Sequence, residues 1–235
     1  MTGENPVSEE NPVPEENPVS EENPAAAEIP TAGDQSATDR VILRRRMVRN
    51  YTDEPVAGEL VEQLLDLAVR APSAGFTQGV TFQVLTGEDR DRFWEHTSDG
   101  SSRWLRQISV APVLVLVWTS KDAYFRRYTE PDKGWRSDDQ PWTAPYWYVD
   151  AGMAAQNILL GAVDRGLGAC FFGIPMDRVD AVRAEFGVPE HQLSVGVVSL
   201  GHVPAGDRVG GSARTRPRRK NTDQVRRGDW RQDPR

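Results

Sequence analysis

The sequence predicts a sandwich of the α+β or α/β class, set behind an acidic leader. Three observations predict it. Apolar residues make up only 38% of the 235 positions, and the shortfall is concentrated at the N-terminus, where residues 1–39 hold ten acidic side chains and no basic one. Beyond that point, segments with helical apolar spacing alternate in part with short β-branched runs. One of those runs, 113–119, is apolar almost throughout, as a strand covered on both faces must be.

The leader repeats a six-residue unit from Glu4 to Pro24: ENPVSE, ENPVPE, ENPVSE, then ENP. A proline in every unit interrupts helices and ladders. One apolar residue per unit is too few to build a core, and like charges extend the chain. Residues 1–39 are therefore expected to be disordered, as a solubilising segment or a docking segment for a partner. The net charge of −7 belongs to this leader, because the remainder holds 28 basic and 25 acidic residues. Whole-chain charge is thus a poor guide to partners.

Folded sequence is expected over 40–235. Thr38-Asp39 can cap a helix that runs through Val41, Ile42 and Leu43 into the arginine run. Val56, Leu60, Leu64, Leu65 and Ala68 recur at helical spacing, and Ala71-Pro72-Ser73-Ala74-Gly75 closes that helix. Residues 81–86 read as a strand and 90–97 as a helix. Residues 121–145, rich in Tyr, Trp, Pro and Asp, read as irregular. A long helix over 147–164 carries Ala151, Gly152, Ala154 and Ala155, small enough for close packing at the centre of the domain. Gly166-Leu167-Gly168 ends it. A strand over 169–174, a surface helix over 177–186 and a strand over 193–202 follow. From Gly210 the chain holds nine Arg or Lys against three Asp.

Several function classes are excluded or disfavoured. Cys170 is the only cysteine, so no intramolecular disulfide and no cysteine-based zinc site can form. His96, His191 and His202 lack ligand spacing. The N-terminus lacks a signal peptide's basic and apolar regions, and no apolar run approaches a membrane span. A soluble protein of the reducing cytoplasm, with no membrane partner, is expected.

Three constellations could carry chemistry. The first is Arg44-Arg45-Arg46-Met47-Val48-Arg49-Asn50-Tyr51, with guanidinium groups suited to phosphate. It could equally be a solvated helix face. The second is the turn from Ala71 to Gly79, whose small residues let a flat ligand approach the backbone. The third runs from Gly166 to Pro175, where a strand end can offer backbone N–H groups. Its glycines do not fit the dinucleotide fingerprint.

Taken in order, these elements resemble the nitroreductase family. The resemblance rests on R-R-x-V-R-x-[aromatic], then A-P-S-A and F, then D-A-G-x-A-A-Q-N-x-L-L with G-L-G-A, then G-I-P. It ends on Arg219-Lys220-Asn221-Thr222-Asp223-Gln224-Val225 and covers roughly residues 40–230. It implies an α+β homodimer with a central mixed sheet flanked by helices and FMN held at the subunit interface. It implies a hydride passed from NADH or NADPH through flavin N5 to a nitroaromatic, quinone or similar small aromatic acceptor. Carried onto this chain, Arg45, Arg46, Met47, Val48 and Arg49 line the flavin, with Arg49 at its N1/O2 side. Pro72, Ser73 and Ala74 reach the ring from the other subunit. Phe172 and Gly173 present N–H groups near N5 and O4. Arg218 and Arg219 hold the phosphate. No side chain is implied as acid, base or nucleophile, and no metal is expected.

Three positions depart from the family pattern: many members have serine where Met47 stands, asparagine where Phe76 stands, and Gln-Pro-Trp where Gln78-Gly79-Val80 stand. The resemblance also admits a deazaflavin-linked reductase, a reductive dehalogenase or a flavin-processing enzyme. A nucleic-acid binder using the basic C-terminus is a further alternative, against which the lack of a recognition motif weighs. The aromatic residues of 121–147, among them Tyr124, Phe125, Tyr128, Trp135, Trp142, Tyr146 and Trp147, would stack on flat substrates or pack a dimer interface.

Overall fold

The computed structural model describes residues 35–98, 103–135, 142–207, 224, 225 and 228. The expectations for 1–34, and for Arg218, Arg219 and most of the C-terminal element, lie outside the described residues. The fold belongs to the unit that begins at Ala37.

Its first helix, α1 (Ala37–Arg44), already includes the last three residues assigned to the leader. It stops at the first arginine rather than continuing through the run, because the next residues pair with the sheet. After α2 (Gly58–Ala68) and a short 3-10 turn at Ala74–Phe76 comes β1 (Val80–Thr86). Then follow α3 (Gly87–Thr97), α4 (Arg103–Ile108) and β2 (Val113–Thr119). The expected irregular segment opens with a helix, α5 (Lys121–Tyr128), whose first turn is capped by the Ser120 hydroxyl accepting from the Ala123 N–H. The long helix is α6 (Tyr146–Asp164), followed by β3 (Gly168–Phe172), α7 (Val179–Glu185) and β4 (Leu193–Gly201). Gly166, at φ +76, ends α6 as expected.

The four strands lie in the order β1-β2-β4-β3 and every described pairing is antiparallel. The α+β class holds, but the expected mixed sheet does not appear among these strands. β2 and β3 run in the same direction, yet β4 is inserted between them, so no parallel pair forms. All seven residues of β2 are buried. Val113, Val115 and Val117 face α2 and α6, while Leu114, Leu116 and Trp118 face the layer holding α3 and α7. An antiparallel strand thus reads as a continuous apolar run because helices cover both of its faces.

Helix α6 packs as its small residues predict. A Cβ on Gly161 would lie 2.7 Å from Leu67 and 2.8 Å from Leu64, so only glycine lets α2 settle this closely. In β4, Val195 is the extra residue of a bulge, since Gly196 pairs with Val117 while Ser194 pairs with Trp118. A Cβ on Gly196 would meet the Phe171 ring at 2.5 Å and the Phe172 carbonyl oxygen at 2.8 Å, at φ +154. Gly196→Ala is therefore expected to cost about 2 kcal/mol or more, because one of the two obstacles, the Phe172 carbonyl, is backbone and cannot rotate away. Chemical denaturation would check it; an unchanged midpoint would contradict the clash.

Candidate functional site

The arginine run forms a strap along the outer edge of the sheet. Its backbone is tied to β3: the Val48 N–H donates to the Ala169 carbonyl at 2.9 Å. The Phe171 N–H donates to the Met47 sulfur at 3.4 Å. Below it, the Tyr51 hydroxyl donates to the Val48 carbonyl at 2.7 Å and lies 2.8 Å from the Ser199 hydroxyl. Burial pushes the Tyr51 phenol far above its ordinary range, so it stays a neutral donor. The first and third constellations are thus side by side.

The four arginines have different fates. Arg44 donates to the Val163 carbonyl at 2.8 Å, capping the C-terminal end of α6. Arg46 makes an ion pair with Asp207 at 2.8 Å, close but not aligned as a hydrogen bond. Arg49 makes one long contact, 3.4 Å, to the Met47 carbonyl. Arg45 carries a buried Nη1 with no hydrogen-bond partner among the described residues. A buried unsatisfied donor costs about 1–3 kcal/mol, and more when charged, so this position calls for an anion. A phosphate with its several acceptor oxygens meets that demand.

At the end of β3, the Phe172 ring stacks on Trp94 at 5.7 Å and 15°, with Trp104 edge-on at 5.5 Å. The ring is anchored on the α3 side of the sheet. Gly173 is exposed, and open space lies where a Cβ would stand, so its backbone can be approached closely. Cys170 is buried beneath, and burial raises its thiol pKa against the opposing influence of Arg49. It is a packing residue rather than a nucleophile.

The second constellation lies elsewhere. Pro72 and Ser73 line a cavity of about 140 Å³ with Gln78, Val80, Phe82, Asp150 and Ala154. The loop is heavily constrained. The Ser73 hydroxyl accepts from the Gln78 N–H at 3.0 Å, the Thr77 hydroxyl donates to the Ala74 carbonyl at 2.6 Å, and Arg127 Nε donates to the Gly75 carbonyl at 2.9 Å. Phe76 and Gln78 take left-handed backbone angles (φ 56 and 53), and the Phe76 ring is 75% exposed. Non-glycine residues hold such angles only where their surroundings impose them.

One chain does not bring all three constellations together. Gln83, Leu116, Val197 and Phe172 form a single row across the sheet. The end of β3 is therefore three strand spacings, about 14 Å, from β1, the strand that the loop leads into. Tyr51 ends the first constellation, Tyr124 is among the aromatic residues of 121–147 and Asp150 opens the D-A-G motif, but the sequence shows none of their bonds and gives no role to Asp207. Asp150 leaves a readable signal there, as an acid inside a helix whose other acid, Asp164, stands at its end.

The aromatic residues of 121–147 pack mainly against one another, edge-on or tilted. Tyr124 is fully buried, and the Trp142 ring lies within 4.6–6.2 Å of Tyr124, Phe125, Tyr128, Trp135, Tyr146 and Trp147. Among the described residues no group of acidic, cysteine and histidine side chains could hold a metal, and no helix is long and apolar enough to cross a membrane.

The profile of the nitroreductase family matches residues 42–202, most of the chain. The chain belongs to the nitroreductase family. A protein of Methanothermobacter thermautotrophicus named "Putative NADH dehydrogenase/NAD(P)H nitroreductase" is 31% identical over 68% of this chain and 74% of its own length. The 4-nitrobenzoate reductase of a Nocardioides species is 27% identical over 77% of this chain and 86% of its own. Among solved structures, a "putative nitroreductase in complex with fmn" from Desulfovibrio desulfuricans superposes with a TM-score of 0.64 at 24% identity, covering 84% of this chain and 99% of that one. This nitroreductase-family chain is accordingly an oxidoreductase, and the matched residues include both the arginine strap and β3.

Proposed function

We propose that this protein is a homodimeric, FMN-dependent NAD(P)H oxidoreductase that reduces nitroaromatic, quinone or similar flat acceptors. The single observation that carries the reading is the buried Nη1 of Arg45, without a hydrogen-bond partner among the described residues, on a strap bonded to β3. Most of the residues present fit the cofactor: Arg45, Arg46 and Arg49 answer its phosphate and pyrimidine edge, Met47 gives apolar contact, and the backbone of Gly173 is approachable, whereas the Val48 side chain is buried in the core and the Phe172 carbonyl faces β4. Arg218 and Arg219 are assigned to the phosphate from the sequence motif alone. Bound FMN supplies a two-electron carrier between the nicotinamide and the acceptor. The chain itself binds and orients: Arg49 favours the reduced form by its charge, and Tyr51 fixes the strap from below.

Two observations support a second protomer. Pro72, Ser73 and Ala74 lie toward the opposite edge of the sheet from the strap, so a partner is the natural source of their contact to the ring. An apolar stripe also stands exposed on α6, formed by Tyr148, Val149 and Met153, with Leu67 of α2, Val69 just after it, and Ile42 and Leu43 of α1 exposed as well. Exposed apolar surface at i and i+4 of a central helix suits a twofold interface.

The test is direct. Purified protein is expected to be yellow, to bleach with NADH or NADPH under nitrogen, and to release FMN on denaturation. A released deazaflavin would redirect the reading to that branch of the fold. Colourless protein that takes up no flavin of either kind would end it.

A further inference from the structure

Asp150 is the one buried acidic side chain among the described residues, 3% exposed, one turn into α6. No arginine or lysine pairs with it among the described residues. A helix end helps a carboxylate mainly within the first turn, so the dipole gives little relief here. Burying an unpaired carboxylate is costly unless hydrogen bonds answer it. Two do, and both reach the same oxygen: the Tyr124 hydroxyl at 2.7 Å and the Ala74 N–H at 2.8 Å. Tyr124 is itself fully buried, and its phenol is held neutral by burial and by the carboxylate.

We infer that Asp150 is a positioning residue, which with Tyr124 locks the Ser73–Gln78 loop in the geometry that the partner's flavin site requires. The inference rests on the proposed function for what the loop touches, but not for the clamp itself. Asp150 joins three elements at one oxygen: α6, α5 and the loop. The Ser73 and Thr77 bonds are local and Arg127 reaches the Gly75 carbonyl from α5, whereas Asp150 ties the loop to the central helix. A Cβ on Gly75 would lie 2.7 Å from the Tyr128 ring, so α5 also sets the height of the turn. The left-handed angles at Phe76 and Gln78 mark a loop that would relax without such ties.

Asp150→Asn and Tyr124→Phe test this in the full-length protein. Hydrogen exchange of the 74–79 amides, read on protein as purified and after addition of FMN, is expected to quicken by about tenfold or more in Asp150→Asn. Exchange in 113–119 should stay at the wild-type rate. At equal flavin content, kcat should fall about tenfold with KM for the nicotinamide unchanged, and the visible circular dichroism of the bound flavin should change. Tyr124→Phe keeps the carboxylate and removes one donor, so it should move the same readouts less; it also decides the matter if Asp150→Asn does not fold. Unchanged loop exchange in both variants overturns the proposal. So does faster exchange with wild-type kcat and an unaltered flavin signal. Wild-type protein that takes up no flavin overturns the proposed function and the link to the partner's site, and the flavin-free exchange measurement identifies that case separately.

Discussion

Arg45→Ala is expected to weaken FMN binding by about 10- to 100-fold, while leaving the fold intact. Removing a hydrogen bond to a charged group costs about 1.5–3 kcal/mol, and each 1.4 kcal/mol is tenfold in affinity. Little stability should be lost, because the Arg45 Nη1 has no partner among the described residues to lose. The substitution even removes a buried N–H group that no described residue answers. The neighbouring arginines provide the controls. Arg44 is committed to the Val163 carbonyl at the end of α6, so Arg44→Ala should lower stability by about 1 kcal/mol or less and spare the flavin. Arg46 is already neutralised by Asp207, so Arg46→Ala should cost less affinity than Arg45→Ala. Flavin titration by fluorescence gives the ranking. Equal losses at Arg44 and Arg45, or none at Arg45, would remove the phosphate assignment.

That ranking also marks how far the sequence could be read. The cluster of four arginines is visible in one line of text. Which of them is available to a ligand is not, because the answer depends on Val163 and Asp207, each more than a hundred residues away. The same holds for the loop. Its proline, glycine and small residues announce a turn, yet its clamp uses Asp150 and Tyr124 from two later helices. Contacts at long sequence separation leave no local periodicity to detect.

Elements with a repeating apolar pattern were legible. The β2 run, the α2 spacing and the small residues of α6 all matched, since each reflects burial on a regular face. Helix α5 did not. Its sequence, KDAYFRRY, has no aliphatic stripe, and only Tyr124 is buried. Its helicity is set by the Ser120 cap and by aromatic packing beyond the helix, signals that a period count misses. A mixed sheet is absent among the described strands for a different reason. Strand order is a tertiary property, and the insertion of β4 between β2 and β3 cannot be inferred from any one strand.

Met153→Asp should convert the dimer to a monomer and release the flavin with it. Met153 is exposed on α6, within one turn of Val149, so in a lone chain an aspartate there meets water and costs about 0.5 kcal/mol in helix propensity. In a twofold interface the same change acts twice, because each protomer presents its own copy of the patch. Burying two unpaired carboxylates in an apolar contact costs several kcal/mol, more than most dimers can absorb. The monomer should keep its circular dichroism and much of its melting temperature. It should nevertheless lose flavin, since Pro72, Ser73 and Ala74 would no longer reach the ring from a partner. Glu88→Lys on α3, in the opposite layer of the sandwich, controls for charge alone and should change neither assembly nor flavin content. Sedimentation with absorbance at the flavin band reads both outcomes in one experiment. A Met153→Asp protein that sediments as a flavin-loaded dimer would place the interface elsewhere. A monomer that keeps its flavin would instead put the whole site within one chain, which the separation of strap and loop across the sheet argues against.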